Sequence, residues 1–424
     1  MLIHSSSQLL TLKGGPQRGR DLGTLDIIEN GAVLFRNEMI VEVGNTDKLR
    51  AANPNEPSLD AAGCVVLPGF VDPHTHVIWA GDRASEFEMK MAGARYLDIL
   101  AAGGGILSTV KATRAASIES LVAQTRPRLL RMFAHGTTTA EAKTGYGLQT
   151  ATEFRLLKAL VALDHEGPLD LAITFLGAHA IPPEYKDNPQ GYTDLVCETM
   201  LPMLKEWWGT HAPRLKMPFV DVFCEDKAFS LVQSRQILQK AKDLGFPLKI
   251  HADEFDNLGG ASLAVELEAA SADHLVKTSA ADIRALGNSR TAAVALPCTP
   301  FGLAEKDYTP AAELLAANAI LALATDCNPG TAWNESMQFA MALACRYMGL
   351  TPAMAIAAAT INAAYAIRRD EQIGSLEAGK EADLLILTVA DYRQLGYRFG
   401  TNLVKQVVKH GRVYSVDVGY YQSA

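Results

Sequence analysis

The chain lacks the features that would point to an oxidising compartment or a polyanionic partner. Its six cysteines, Cys64, Cys197, Cys224, Cys298, Cys327 and Cys345, are widely spaced and include no Cys-x-x-Cys pair. In 424 residues that pattern reads as reduced, buried thiols of a cytoplasmic protein. Lys and Arg total 39 against 47 Asp and Glu, a net charge of −8, with no basic cluster. That balance argues against nucleic acid or an anionic membrane as partner. A small anionic substrate stays open, because one buried Arg can outweigh the global field locally. The first residues, MLIHSSSQLLTLKGG, have no basic segment ahead of an apolar core, so no secretory leader is expected. Internal repeats, low-complexity tracts and charged tails are also missing. Gly103-Gly104-Gly105 lacks both the GxGxxG spacing and the Lys-Ser/Thr of a phosphate loop, and reads as a mobile lid. Residues 347–367 carry no charge and are long enough to span a bilayer. Gly349, Thr351, Pro352, Thr360 and Asn362 within them favour a small-residue helix packed in a soluble core. The four tryptophans read as core. Nothing fixes the oligomeric state, and a homodimer is left open.

Apolar residues make up 48% of the chain, enough for a large core. Eight short apolar runs recur at 64–76, 137–144, 169–180, 219–226, 248–255, 271–275, 292–300 and 319–329, separated by helical patterns. Continuous apolar strands alternating with helices argue for a parallel sheet, and eight such units for a (β/α)₈ barrel of the TIM type. The expected barrel covers residues 64–369. The flanks, 1–63 and 370–424, read as strands and are too short for cores of their own. They are expected to pair into one small β-sandwich, with a strand–turn–strand around Asn37-Glu38.

Polar residues stand at the C-terminal ends of the runs: His74 and His76, His179, Glu225, His251, His274 and Asp326. Barrel enzymes place their chemistry on that face. His74 and His76 are two apart on an extended strand, so both imidazoles face the interior. Two neutral imidazoles aimed at one point suit Zn²⁺ or Fe, with His251 and Asp326 as third and fourth ligands. Asp326 in isolation would read as a turn residue. At the end of an apolar strand its carboxylate needs a charge partner, which a metal supplies.

PGFVDPHTH, the lone His251, His274, Asp326 and the closing run ATINAAYAIRRDEQIGSLEAGKEADLLIL resemble the amidohydrolase superfamily along essentially the whole chain. Many members bridge two metals with a carbamylated Lys on strand four. The fourth run here, FVDVFCED, has none, and Lys227 lies beyond it. The resemblance therefore implies one Zn²⁺ or Fe per chain. Segments 81–117, AKTGYGL, FLGAHAIPPEY, KIHADEF, SADHL and TDCNPGT resemble the enzymes that open an imidazolone ring in histidine degradation. The reaction implied is hydrolysis of 4-imidazolone-5-propanoate to N-formimidoyl-L-glutamate. Carried over, the metal ligands are His74, His76, His251 and Asp326, and the substrate contacts Arg83, Tyr146, His179, Glu254, Asn328, Gly330 and Thr331.

In that reading Asp326 accepts a proton from water and returns it to the ring nitrogen. His274 orients the water or stabilises the oxyanion. Glu254 bonds a ring N–H and shuttles a proton, unless it is a solvated loop acid. His179 donates to the carbonyl or the propionate, unless it is a core histidine. Arg83 clamps the propionate and Tyr146 adds a hydroxyl. Two other functions compete. A nucleobase deaminase would share the metal site and the HADE segment, and a catalytically inactive barrel would share the fold. Ala332-Trp333-Asn334 departs from the Ser/Pro-like stretch usual at this point and leaves the shape of the eighth loop open.

Overall fold

The computed structural model describes residues 1–93 and 104–416. The expected lid at Gly103–Gly105 falls partly outside them. Among the described residues the largest sheet has eight parallel strands in sequential order. They are β1 Phe70–Asp72, β2 Thr137–Lys143, β3 Asp170–Ala178, β4 Phe219–Cys224, β5 Lys249–Ala252, β6 Ser271–His274, β7 Ala292–Ala295 and β8 Leu321–Leu323. Each corresponds to one of the eight apolar runs. Beyond the ends of β1 and β8, Thr75 and Cys327 form a parallel bridge, which closes the sheet into a barrel.

The flanks build two further sheets. One has four strands, Met39–Asn45, Gly31–Arg36, Leu2–Ser6 and Ser58–Asp60. The turn between the first two of these pairs Arg36 with Met39. The other has six and interleaves both ends of the chain: Leu384–Leu387 pairs with Val404–Lys409 and with Val65–Pro68, which pairs in turn with Gln8–Leu10. Ile3, Val33, Phe35, Val66, Leu384 and Val408 pack together between the sheets. The run 64–76 is thus two strands in two sheets. Val65–Pro68 belongs with the flanks and Phe70–Asp72 with the barrel, so the chain changes sheet at Gly69. A Cβ at Gly69 would come within 2.2 Å of the Thr138 hydroxyl on β2, so the corner admits no side chain.

Outward strand residues such as Ala140, Ala142 and Ile173 join the helices in the main core. Inward residues Val71, Ala172, Phe219, Val294 and Ala322 pack with Ala363, Ala364 and Ile367. The apolar stretch 347–367 is not one helix. It holds Pro352–Ala358 and Ile361–Ala366, interrupted at Thr360, whose backbone (φ −128°, ψ −94°) leaves the helical range. Among the described residues no helix is long and apolar enough to cross a membrane. The six cysteines are unpaired, and all but Cys345 are buried. Trp79 and Trp208 are core, whereas Trp333 is largely exposed, because it sits on the eighth loop.

Candidate metal centre and substrate pocket

The side chains at the C-terminal end of the barrel converge because period-two alternation turns them inward. On β5, Lys249 and His251 are two apart, and His251 is in register with Asp273 on β6. His274 follows Asp273 directly and should face outward by the same rule. Its φ of +81° breaks the alternation, and its ring stands 5.3 Å from that of His74 and 5.2 Å from that of His251. A non-glycine residue in the left-handed region is uncommon and strained. Here the turn is supported by the Thr309 hydroxyl, which donates to the His274 carbonyl at 2.6 Å. Asp326 also has positive φ, +53°, and its backbone N–H donates to the His74 carbonyl.

His74, His76 and His251 bring three Nε2 atoms together. His76 Nε2 lies 3.3 Å from His74 Nε2 and 3.2 Å from His251 Nε2. Asp326 Oδ1 is 3.6 Å from both His74 and His76 Nε2. His74 Nδ1 is 2.6 Å from Asp273 Oδ2, and His251 Nδ1 is 3.0 Å from Asp221 Oδ2 along a bent line. A carboxylate accepts only, so His74 donates from Nδ1 and turns an Nε2 lone pair toward the common point, and the close contact of His251 Nδ1 with Asp221 favours the same orientation for that ring. Burial holds His74 and His76 neutral, well below their usual pKa. Converging lone pairs repel unless a cation lies between them. Donors about 2.0–2.1 Å from a tetrahedral ion stand roughly 3.3 Å apart, which is the spacing found. Asp326 Oδ1, buried and without a hydrogen-bond partner among the described residues, completes a fit for such an ion.

A cavity of about 150 Å³ opens over these groups. Its walls include His76, His179, His251, His274 and Asp326, and all seven expected substrate contacts: Arg83, Tyr146, His179, Glu254, Asn328, Gly330 and Thr331. His74 lies beneath it, fully buried. Glu225 turns away and accepts from the backbone N–H of Asp226, Phe255 and Asp256, so it anchors the fifth loop.

Several wall residues differ in detail from their expected roles. His179 donates from Nδ1 to the Gly145 carbonyl at 3.1 Å, and burial, then His251, push its pKa down to about 3. The neutral ring offers the cavity an acceptor at Nε2 rather than the expected donor. Asn328 spends its side chain on its own loop. It accepts from Gly330 N–H and Thr331 N–H and donates to the Asp326 carbonyl and the Thr331 hydroxyl. It shapes the wall that Gly330 and Thr331 present. Arg83 Nε and Nη2 donate to Glu86 Oε2 at 2.9 and 2.8 Å. A Cβ at Gly330 would stand 2.3 Å from Arg83 Nη1, so glycine is what admits the guanidinium. Glu254 Oε2 is 3.6 Å from His274 Nε2, just beyond a direct hydrogen bond, and burial, then the Asp326 charge, raise its pKa well above the usual range. Burial keeps the Tyr146 phenol protonated. Burial pushes Asp326 up to about 6, against a 2.5 Å hydrogen bond that Thr299 donates to Oδ2.

Sequence reasoning missed Glu86, Thr299 and the apolar walls Ile106, Phe223 and Phe255. It also missed a buried charged layer: Glu141, Lys143, Asp221, Lys249 and Asp273. Charged residues inside apolar runs, as in TTTAEAKT, were the available signal. The unusual Trp333 meets Trp79 edge-on with centroids 4.9 Å apart. Arg128 lies 3.4 Å above Trp79, and the three side chains tie the eighth loop to the first.

Residues 65–414 match the amidohydrolase family. The chain is 53% identical over 412 residues to the imidazolonepropionase of Herpetosiphon aurantiacus, covering 97% of this chain and 96% of the relative. It is 47% identical over 417 residues to that of Chloroflexus aggregans, covering 97% and 98%. The chain belongs to the amidohydrolase family, among the imidazolonepropionases. An adenosine deaminase from Xanthomonas campestris, solved with bound zinc, superposes with a TM-score of 0.68 over 100% of this chain and 94% of its own. At 18% identity that likeness carries the fold alone. Membership in an amidohydrolase family, with the donor set above, implies a divalent metal in this site.

Proposed function

We propose that the chain hydrolyses the ring C–N bond of 4-imidazolone-5-propanoate to N-formimidoyl-L-glutamate, holding one Zn²⁺ or Fe through His74, His76, His251 and Asp326. The observation that carries this is the convergence of three imidazole Nε2 atoms and one carboxylate oxygen on the floor of a cavity walled by Arg83. When bound, the metal supplies Lewis acidity, lowering the pKa of water toward about 7 and polarising a carbonyl.

The chain's own residues supply the rest. Asp326 takes the proton of the attacking water. Oδ1 faces the imidazoles and Oδ2 is held by Thr299, so a proton taken on Oδ2 leaves through the Thr299 hydroxyl or after that bond rotates. Glu254 and His274 stand across a 3.6 Å gap in which a ring N–H or water can bond to both. Glu254 moves a proton to the leaving nitrogen, and His274 orients the water or the developing oxyanion. His179 accepts a ring N–H at Nε2. Arg83, oriented by Glu86, pairs with the propionate through its remaining N–H groups, and Tyr146 donates its hydroxyl. A nucleobase offers Arg83 no carboxylate, which separates this reading from a deaminase.

The test is metal dependence. Protein stripped by a chelator should lose turnover of imidazolone propionate and regain it with Zn²⁺ or Fe²⁺ added to about one equivalent. Full turnover in metal-free protein would refute the reading. Recovery that needs two equivalents would refute the single-metal part alone.

A further inference from the structure

Inside the barrel, next to the imidazoles, lies a layer of charge for which the hydrolytic step has no evident use. Glu141 and Lys143 on β2, Asp221 on β4, Lys249 on β5 and Asp273 on β6 are fully buried. Barrel interiors are ordinarily filled with stacked aliphatic side chains, and an unpaired charge there is strongly unfavourable. The pairing here is specific. Lys143 Nζ lies 2.8 Å from Asp221 Oδ2, 2.8 Å from Glu141 Oε1 and 3.8 Å from Asp273 Oδ2. Those same two aspartate oxygens face the ligand imidazoles, Asp221 at His251 Nδ1 and Asp273 at His74 Nδ1. His74 and His251 come from different strands. Among the described residues, Lys143 is the cation within 4 Å of both carboxylates behind them. Lys249 reaches Asp273 at 3.4 Å and donates to the Pro73 carbonyl, next to His74, at 2.7 Å.

We propose that Lys143 is a positioning residue for the metal centre, acting through Asp221 and Asp273 to hold His251 and His74 with Nδ1–H turned away from the ion and Nε2 turned toward it. The inference rests on the assignment of His74, His76 and His251 as ligands. The physical basis is rotational. A carboxylate shared between an imidazole N–H and a fixed ammonium cannot swing about its Cβ–Cγ bond without breaking one of the two contacts. The ring it holds then keeps one tautomer and one orientation. Because one ammonium serves both aspartates, the two rings are fixed relative to each other as well as to the backbone.

The experiment measures zinc affinity by chelator competition, with the melting temperature of the metal-free protein taken on the same samples. Lys143→Met and Asp273→Asn should each weaken zinc by about 10- to 100-fold. Combined, they should weaken it by less than the product of the two, because part of the effect of Lys143 runs through Asp273. His76→Ala should abolish tight binding. If it does not, the ligand assignment fails. If His76→Ala behaves as expected but Lys143→Met and Asp273→Asn bind zinc as tightly as the wild type or tighter, the positioning role is overturned while the ligands stand. A lower metal-free melting temperature with unchanged zinc affinity would overturn it too, since that marks a merely structural charge. Should Lys143→Met not fold, long-range ¹H–¹⁵N spectra of the wild-type zinc protein decide. Protons on Nδ1 of both His74 and His251 are expected, and a proton on Nε2 of either overturns the proposal.

Discussion

Among the described residues Arg83 is the one Lys or Arg that lines the cavity, and replacing it by Met removes that cation while keeping a side chain of similar length. Truncating one partner of a buried charged pair costs about 2–5 kcal/mol. The structure places Arg83 in the lower part of that range. Its side chain is 16% exposed, and one edge of the guanidinium is already committed to Glu86. A loss of about 2–3 kcal/mol corresponds to a fall in kcat/KM of roughly 30- to 150-fold. The loss should appear mainly in KM, because the propionate is remote from the scissile bond and bound alike in ground and transition states. Arg83→Lys should recover part of it, since an ammonium lacks the planar two-point contact. The assay compares both variants with wild type on the natural substrate and on an analogue without the carboxylate. The coupling between Arg83 and the carboxylate is the difference between the two losses. An equal loss on both substrates would show that Arg83 does not pair with the propionate and would make it a prop for Glu86, which also accepts from the Ser108 hydroxyl.

Four further outcomes are expected. Asp326→Asn should lower kcat by at least about 10²-fold and abolish the acidic limb of the pH–rate profile, with metal content measured on the same sample. Retained activity at full metal occupancy would move the proton-accepting role to His274 or Glu254. Glu254→Gln should lower kcat by about 10²-fold without loss of metal. Because burial raises Glu254, it should keep the proton it delivers to the leaving nitrogen at a pH above the ordinary carboxylate range, and activity should fall as pH rises through its titration. Trp333→Ala should raise KM a few-fold with little change in kcat, as expected for about 1 kcal/mol of aromatic packing between two loops. An unchanged KM would show the eighth loop to be held without it. His410, whose pKa is raised by its bond to Asp170 at 3.1 Å, should contribute stability that is fully present below its unfolded pKa and lost as pH rises through the folded one. Its side chain is 36% exposed, so the effect is at most about 1 kcal/mol, read as a melting difference from His410→Gln that fades in alkaline buffer.

The barrel was legible because strands buried on both faces leave a distinctive trace: unbroken apolar runs ending in His, Glu or Asp. The corner at Gly69 was not, because apolar residues continue through it from one sheet into the next. The interruption at Thr360 was hidden likewise, since alanines suit one long helix as well as two short ones. His74, His76, His251 and Asp326 could be read from strand alternation and chain position. The inward turn of His274 could not, because it depends on a strained backbone angle that breaks that alternation. Asn328, expected as a substrate contact, lines the cavity, yet its commitment to its own loop emerges only from the turn geometry. Glu86 and Thr299 were invisible because each acts through a partner far away in space or sequence. Lys143 and Asp273 carried a local signal, a charge inside an apolar strand, whose meaning depends on which strands become neighbours.

One assay decides whether this cavity opens the imidazolone ring at a metal held by three histidines and an aspartate. Purified protein of measured metal content is mixed with 4-imidazolone-5-propanoate, and N-formimidoyl-L-glutamate is followed alongside loss of substrate absorbance. Cytosine, guanine and adenosine are run in parallel for ammonia release. Ring opening in proportion to bound metal is expected, with no ammonia from the three controls. Metal-replete protein that releases ammonia from one of them and leaves the imidazolone intact would contradict it.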